Sequence, residues 1–421
     1  MALGASQGQT LGYVQESALG TNGGGFGEIR YQENVEFPTS TRTGVMNPNR
    51  GHAHPFNFSD KPIFIEKFQE GALSFSTFIR RDASSTMPIA DFFESAGCVV
   101  ASTTASTVAS YASTVAFDLG DSGAAYGAVG NAVLVQLSDD TYYPVLVSAK
   151  ATDTITPGMA IPSITANGKT IAAMTTIYPR SRPVVATKSL AFEFHSRATH
   201  TTGEDLAYEL QGCALNTIGE LVLTPSTPPV MQFSFTVGKI DQKTDAIAEE
   251  TFVCSEAFAI VNDNFKFETA ASSAAGGIAR GDGILKEAKI AWGFKGVPVI
   301  GEGSGVFAGI QGYILQADGM PKITITGEFT KDYWTALEGT NTSQYIGLIQ
   351  PTTSTTVPAF GFWAPNCHLD PETPPVVDFN GDSYVVATAT YICTSAGYDS
   401  DTLPEEAGAA PWYFAIGGSA S

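Results

Sequence analysis

Charge is scarce in this 421-residue sequence, and most of it has one sign. Charged residues make up 15% of the chain, against the roughly 25% of ordinary soluble domains. Lysine and arginine number 22, aspartate and glutamate 42, for a formal net charge of −20. Gripping a nucleic-acid backbone through counterion release needs Lys and Arg gathered on one face. Docking on an anionic membrane needs the same. The composition excludes both as stable binding modes. Cysteine is scarce too: Cys98, Cys213, Cys254, Cys367 and Cys393 are odd in number, widely spaced and form no C-x-x-C. They read as buried or incidental thiols, not as a disulfide framework or a zinc site. No basic segment followed by an apolar one opens the sequence, so no secretory signal is expected. The long uncharged run 95–117 carries too much Ser and Thr for a membrane span. The expectation is a chain kept in a reducing, aqueous compartment.

Catalytic groupings are equally sparse. Of five histidines, His52 and His54 stand one residue apart in a Pro/Asn/Gly loop with no acid or thiol at metal spacing. His195 and His200 read as solvated. Cys367 and His368 are neighbours, but adjacent strand residues point to opposite faces. The glycine-rich 301–305 lacks the following helix and Lys-Ser/Thr pair of a phosphate loop. Asp378, Asn380 and Asp382 flank Gly381 without the terminal Glu of a calcium loop, and read as a hairpin turn. Asp139-Asp140 and Glu405-Glu406 read as solvated turn and tail charge. No catalytic residue, metal ligand or cofactor is assigned, and an enzyme is not expected.

What the chain does hold is short strands. Hydrophobic residues make up 43%, with 43 glycines and 23 prolines. Beta-branched and aromatic residues recur in brief runs between turn signals, a mainly β profile. Two stretches stand out. In 71–79 Leu73, Phe75, Thr77 and Ile79 share one face. In 322–329 Ile323, Ile325 and Phe329 do so against Lys322, Thr324, Thr326 and Glu328. Each leads to a short amphipathic helix ending at glycine. The first carries Ile89, Phe92, Phe93 and Ala96 behind Pro88 and stops at Gly97; the second carries Tyr333, Trp334 and Leu337 and stops at Gly339. A strand-to-helix unit recurring about 250 residues later reads as an internal duplication.

The organisation expected from the sequence is a flexible N-terminal arm at 1–27, a first domain at 28–184 with long loops at 39–59 and 98–130, a second domain at 185–397, and a C-terminal tail at 398–421 that Trp412-Tyr413-Phe414 would anchor. The PRSRP segment at 179–183 marks the boundary. NAVLVQL and TYYPVLVSAK around Asp139-Asp140 predict a hairpin.

The phrase YVQESALGT at 13–21, followed by the alternating stretch 26–37, resembles the opening of tail tube proteins of long-tailed, siphovirus-type bacteriophages. The likeness extends loosely over about 10–395, with a strand, the helix at DFFESAG and many short strands. It implies two tandem β-sandwich tube domains, each with a short flanking helix, whose sheets join into the inner β-barrel of a ring. A duplicated chain would form homotrimeric rings with pseudo-sixfold symmetry, a hexamer being the single-domain alternative. Rings would stack into a conduit for genome ejection, meeting other tail proteins at its ends. Three chains of −20 give about −60 per ring, and an acidic lumen would let DNA pass without stable binding. Such a protein resides in the virion and assembles in the host cytoplasm. The rival expectations are another phage structural part, such as a decoration or baseplate protein, and a carbohydrate-binding adhesin using Trp292, Trp334, Trp363 or Trp412.

Overall fold

The structure is a computed structural model. It describes residues 9–21, 25–45, 63–68, 72–79, 88–118, 129–161, 170–196, 206–243, 266–271, 283–300, 310–329, 343–353, 359–378, 385–395 and 410–417, with short interruptions at 30, 32–34, 39, 104–105, 108–109, 114–115, 153, 160, 181–184, 187 and 226. Among these residues the chain forms 28 strands and one helix, α1 (Pro88–Ala96). The mainly β expectation holds.

Every strand pairing is antiparallel, and two sheets dominate. The front sheet has seven strands and runs from Gly27–Ile29 through Gln9–Gln15, Leu190–Ser196, Leu206–Ile218 and Val230–Thr236 to Ala72–Phe78. Lys239–Lys243 continues the line of Val230–Thr236 along Leu206–Ile218, so the two form one long hairpin arm. The large sheet system has seventeen strands. The front sheet is open, not a closed barrel: its path ends at Gly27–Ile29 on one side and Ala72–Phe78 on the other.

The helix explains why these sheets belong together. Pro88 presets the first turn, and the Ile89/Phe92/Phe93/Ala96 stripe is wholly buried. Gly97, at φ 101°, closes the helix: Gly97 N donates to Glu94 O and Cys98 N to Phe93 O, the paired bonds of a Schellman cap. Phe92 points into the front sheet, with ring centroids 5.5 Å from Tyr13, 5.9 Å from Phe75, 6.1 Å from Phe192 and 5.1 Å from both Phe233 and Phe235. Phe93 points the other way, 5.3 Å from Trp292, 6.0 Å from Phe294 of the separate hairpin Phe294–Ile300/Ile310–Ala317, 6.1 Å from Trp412 and 6.4 Å from Phe414 of the large sheet. Adjacent residues thus join two aromatic nests into one core. Buried Ser95 accepts from Leu215 N at the bulge of the long front strand and donates to Phe92 O.

A second core lies beyond the large sheet, built from the expected hairpin Ala132–Gln136/Tyr142–Ala151 with Ile171, Met174, Tyr345, Trp363 and Tyr413. Several strands are therefore buried on both faces, among them Gln344–Gln350. In Ala359–Leu369, Phe360, Phe362 and Ala364 enter the first core while Ala359 and Trp363 enter the second. In Tyr413–Gly417, Phe414 and Ile416 enter the first, Tyr413 and Ala415 the second.

This topology corrects several expectations. Residues 9–15 are not arm but an interior strand, paired with Leu190–Ser196 and Gly27–Ile29. Ser40–Val45 pairs with Ile63–Phe68 where a loop was expected. Within 98–130, Val99–Ser102 joins Thr170–Tyr178 and further short strands follow. Buried Thr103 donates to main-chain carbonyls of Ala132 and Met174 and accepts from Met174 N. The 398–421 tail contains Tyr413–Gly417, which lies between Ala359–Leu369 and Thr170–Tyr178. Both sheets contain strands from either side of residue 184, so sheet membership does not divide there.

The two strand-to-helix stretches do not occupy matching places. Ala72–Phe78 ends the front sheet, bridged on its far side only at Glu36 among the described residues, whereas Lys322–Phe329 lies between Gly283–Ala291 and Val385–Cys393. The second helix, with Trp334 and Gly339, lies outside the described residues, as do His52, His54, His200, Cys254, the 301–305 glycines and Glu405-Glu406.

Candidate functional site

The ESALGT phrase builds a compact turn. Gly20 takes φ 73°, Thr21 N donates to Ala18 O and Ser17 N to Thr21 O. Glu16 is 2% exposed, and its carboxylate gathers three donors from three segments. Oε2 accepts from Gly20 N at 2.8 Å and from the Ser189 hydroxyl; Oε1 accepts from Gly212 N at 2.9 Å. Gly212 holds φ 61° in the long front strand, and its carbonyl accepts from the buried Tyr313 hydroxyl. Burial, followed by the nearby Cys213 and Glu16, raises the pKa of that phenol. A main-chain bond from Glu16 N to Ser189 O completes the node. The most recognisable phrase of the sequence thus locks the first strand of the chain onto the middle of the front sheet.

Beside this node the helix edge is polar. Tyr13 donates its hydroxyl to Asp91 Oδ2 at 3.3 Å, Gln15 Nε2 donates to Glu94 Oε2 at 2.9 Å, and Lys188 Nζ lies 3.1 Å from the same oxygen. Desolvation, aided by the nearby Glu94 charge and opposed by Tyr13 and Lys188, raises the Asp91 pKa to about 6. The sign follows from proton linkage. Between the unfolded value near 3.8 and the folded value of about 6 the native state holds more protons, so stability present below pH 4 is lost as pH rises through 6. Asp91→Asn is therefore expected to flatten this part of the pH–stability curve and to be more stable than the parent at pH 7.5 by about 1–2 kcal/mol, after discounting for partial solvation. Guanidinium unfolding of both proteins at pH 4 and pH 7.5 measures it; equal pH dependence in the two would refute the assignment.

The polar face of the front sheet carries a pattern that the sequence alone hides. Inward-facing Leu73, Phe75, Phe192, Phe233 and Phe235 alternate with Ser74, Ser76, Glu193, Gln232 and Ser234 on the other face. Strand register places Glu193 opposite Glu209, and Glu209 opposite Asp241. Three carboxylates from three strands stand in one row, Glu193 buried at 2% exposure and Glu209 and Asp241 reaching solvent. Like charges facing one another across a ladder are destabilising. Each carboxylate has a polar neighbour two residues along its own strand: His195 Nε2 lies 2.8 Å from Glu193, Gln211 Nε2 donates to Glu209 at 2.8 Å, and Lys239 pairs with Asp241. His195 is accordingly not solvated but only 12% exposed. One lysine, Lys239, answers the row directly.

The other singled-out residues are structural. Asp139 accepts from Thr141 N in the hairpin turn, with Asp140 at φ 64°. Trp292, Trp363 and Trp412 are 3%, 1% and 0% exposed, which leaves none of them as a face for sugar stacking. Cys367 and Cys393, far apart in sequence, are brought side by side with Sγ atoms 3.8 Å apart. Among the described residues no group of three or more His, Cys, Asp or Glu is placed to hold a metal ion. No helix among them is long and apolar enough to cross a membrane. No protein-family model matches the chain, and comparison with curated proteins finds no match.

Proposed function

We propose that the protein is a structural component of a virion, the major tail tube protein of a long-tailed bacteriophage. Copies of the chain join into rings, and the rings stack into a hollow tube through which the genome leaves. The observation that carries this reading is the row Glu193–Glu209–Asp241 on the polar face of an open sheet, in a chain of net charge −20. An open sheet can extend from subunit to subunit, and ring closure removes its exposed edges. Its polar face then lines the lumen, where Glu209 and Asp241, the members of the row that reach solvent, repel phosphates and DNA slides without being held. The buried Glu16 node gives the ESALGT phrase, which carries the family resemblance, a definite structural task.

Two sheets per chain are the basis for a homotrimer of pseudo-sixfold symmetry, each chain supplying two tube-type β-sandwich units that share strands across the sequence. Other tail proteins cap the tube ends. The test is negative-stain microscopy of the concentrated protein with rotational averaging of end-on views. Hollow rings or filaments with three double lobes are expected; six single lobes would replace the trimer by a hexamer. Particles that remain compact and unassociated at every concentration would overturn the reading.

A further inference from the structure

We propose that Cys367 and Cys393 form a redox modification site, closing reversibly into an intrachain disulfide. The proposal is independent of the tube reading. It concerns the corner where the Ala359–Leu369 strand changes neighbours: along one edge residues 359–363 pair with Tyr413–Gly417, and residues 367–369 pair with Val385–Cys393. Cys367 stands directly opposite Cys393, and the two sulfurs are 3.8 Å apart.

The ladder position suits a covalent bond. The neighbouring pair carries the hydrogen bond, from Thr394 N to Asn366 O at 2.9 Å, while Cys393 N turns to the other side and donates to Pro321 O. The cysteines therefore occupy a non-hydrogen-bonded position, where facing Cα atoms lie about 4.5 Å apart. Disulfides span Cα separations of about 4.4–6.8 Å. Side-chain rotation alone can bring the sulfurs together, with no slip in register. The other described thiols have no such placement: Cys213 faces Leu190 across its ladder, and Cys98 follows the helix cap. Both thiols are buried, Cys367 at 0% and Cys393 at 1% exposure, but Cys393 alone of the two borders an open groove of about 680 Å³, with Pro321, Thr394, Ser395 and Trp412, so a local opening on that side reaches Cys393 first.

That asymmetry sets the order of events. The oxidant is a small disulfide such as oxidised glutathione. The Cys393 thiolate attacks one of its sulfurs, forming a mixed disulfide and expelling one glutathione thiolate. The Cys367 thiolate then attacks the Cys393 sulfur, closing the intrachain bond and expelling the second. Two protein thiols are oxidised, one glutathione disulfide is reduced to two thiols, and the two protein protons pass to the released thiolates. In a reducing cytosol the pair stays open; in an oxidising medium outside the cell it closes.

The test holds the folded full-length protein with oxidised glutathione at pH 8, then denatures, alkylates with iodoacetamide and maps peptides by mass spectrometry. The expected product is a linked pair of peptides containing Cys367 and Cys393, about 2 Da lighter than the two free peptides together and separated by dithiothreitol. The oxidised protein should melt about 5 °C higher than the reduced one. Cys367→Ser should retain glutathione on Cys393 and show no rise in melting temperature. Full alkylation of both cysteines in the wild-type protein after prolonged exposure overturns the proposal, as does glutathione on both without a link. The wild-type map needs no variant, so it decides the matter even where a serine substitution prevents folding.

Discussion

Phe92→Ala is expected to lower the unfolding free energy by about 4 kcal/mol, within the range for truncating a buried aromatic ring. The ring has no solvent exposure and meets five others from four strands of the front sheet. Four of these contacts are edge-to-face in steep geometry, at 5.1–5.9 Å with interplanar angles of 72–82°, an arrangement that adds to area burial. Beyond the lost contacts, the cavity would open between layers that α1 helps to hold together. Neighbouring Phe93 remains anchored in the other nest, so the helix should stay on the large sheet while the front sheet loosens. Calorimetry gives the total, and hydrogen exchange should show protection lost first at Gln9–Gln15 and Val230–Thr236. A loss below about 1.5 kcal/mol, typical of sites that collapse easily, would mean that the front sheet does not depend on this ring.

Glu16→Gln should cost about 3 kcal/mol despite the near-identical shape. The carboxylate accepts from Ser189, Gly20 and Gly212 with both oxygens, but an amide has one acceptor oxygen and turns donors toward the other side. At least one buried N–H then faces an NH2 group, and an unpaired buried donor costs its full desolvation. Denaturant unfolding supplies the number, while faster amide exchange at Gly20 or Gly212 would locate it. If the glutamine protein were as stable as the parent, the ESALGT turn would hold by its backbone alone, and the phrase would lose the task assigned to it here.

Local features of the fold were legible in the sequence. Pro88, the apolar stripe and Gly97 delimit the helix because caps and amphipathicity are nearest-neighbour physics. Period-two alternation marked Ala72–Phe78 and Lys322–Phe329 for the same reason. Pairing was not legible. Residues 9–15 are short and flanked by glycine, and the strand that makes them interior begins at Leu190. The WYFAIG run has no alternation because both its faces are buried, so it read as a hydrophobic anchor rather than a strand. The acidic row and the cysteine pair exist only through register. Glu193, Glu209 and Asp241 belong to separate segments, and a one-residue slip in any of them would turn a carboxylate into the core.

The Tyr413–Gly417 strand carries a consequence for the order of synthesis. It fills the gap between residues 359–363 and 174–177, and both partners precede it in the chain. A ribosome therefore exports the entire large sheet with its centre missing, two apolar faces and two unpaired edges open until residue 417 clears the exit tunnel. Translation of the preceding strands leaves the nascent chain prone to edge pairing with its neighbours on a polysome. The chain is thus expected to be acutely sensitive to premature termination before residue 417.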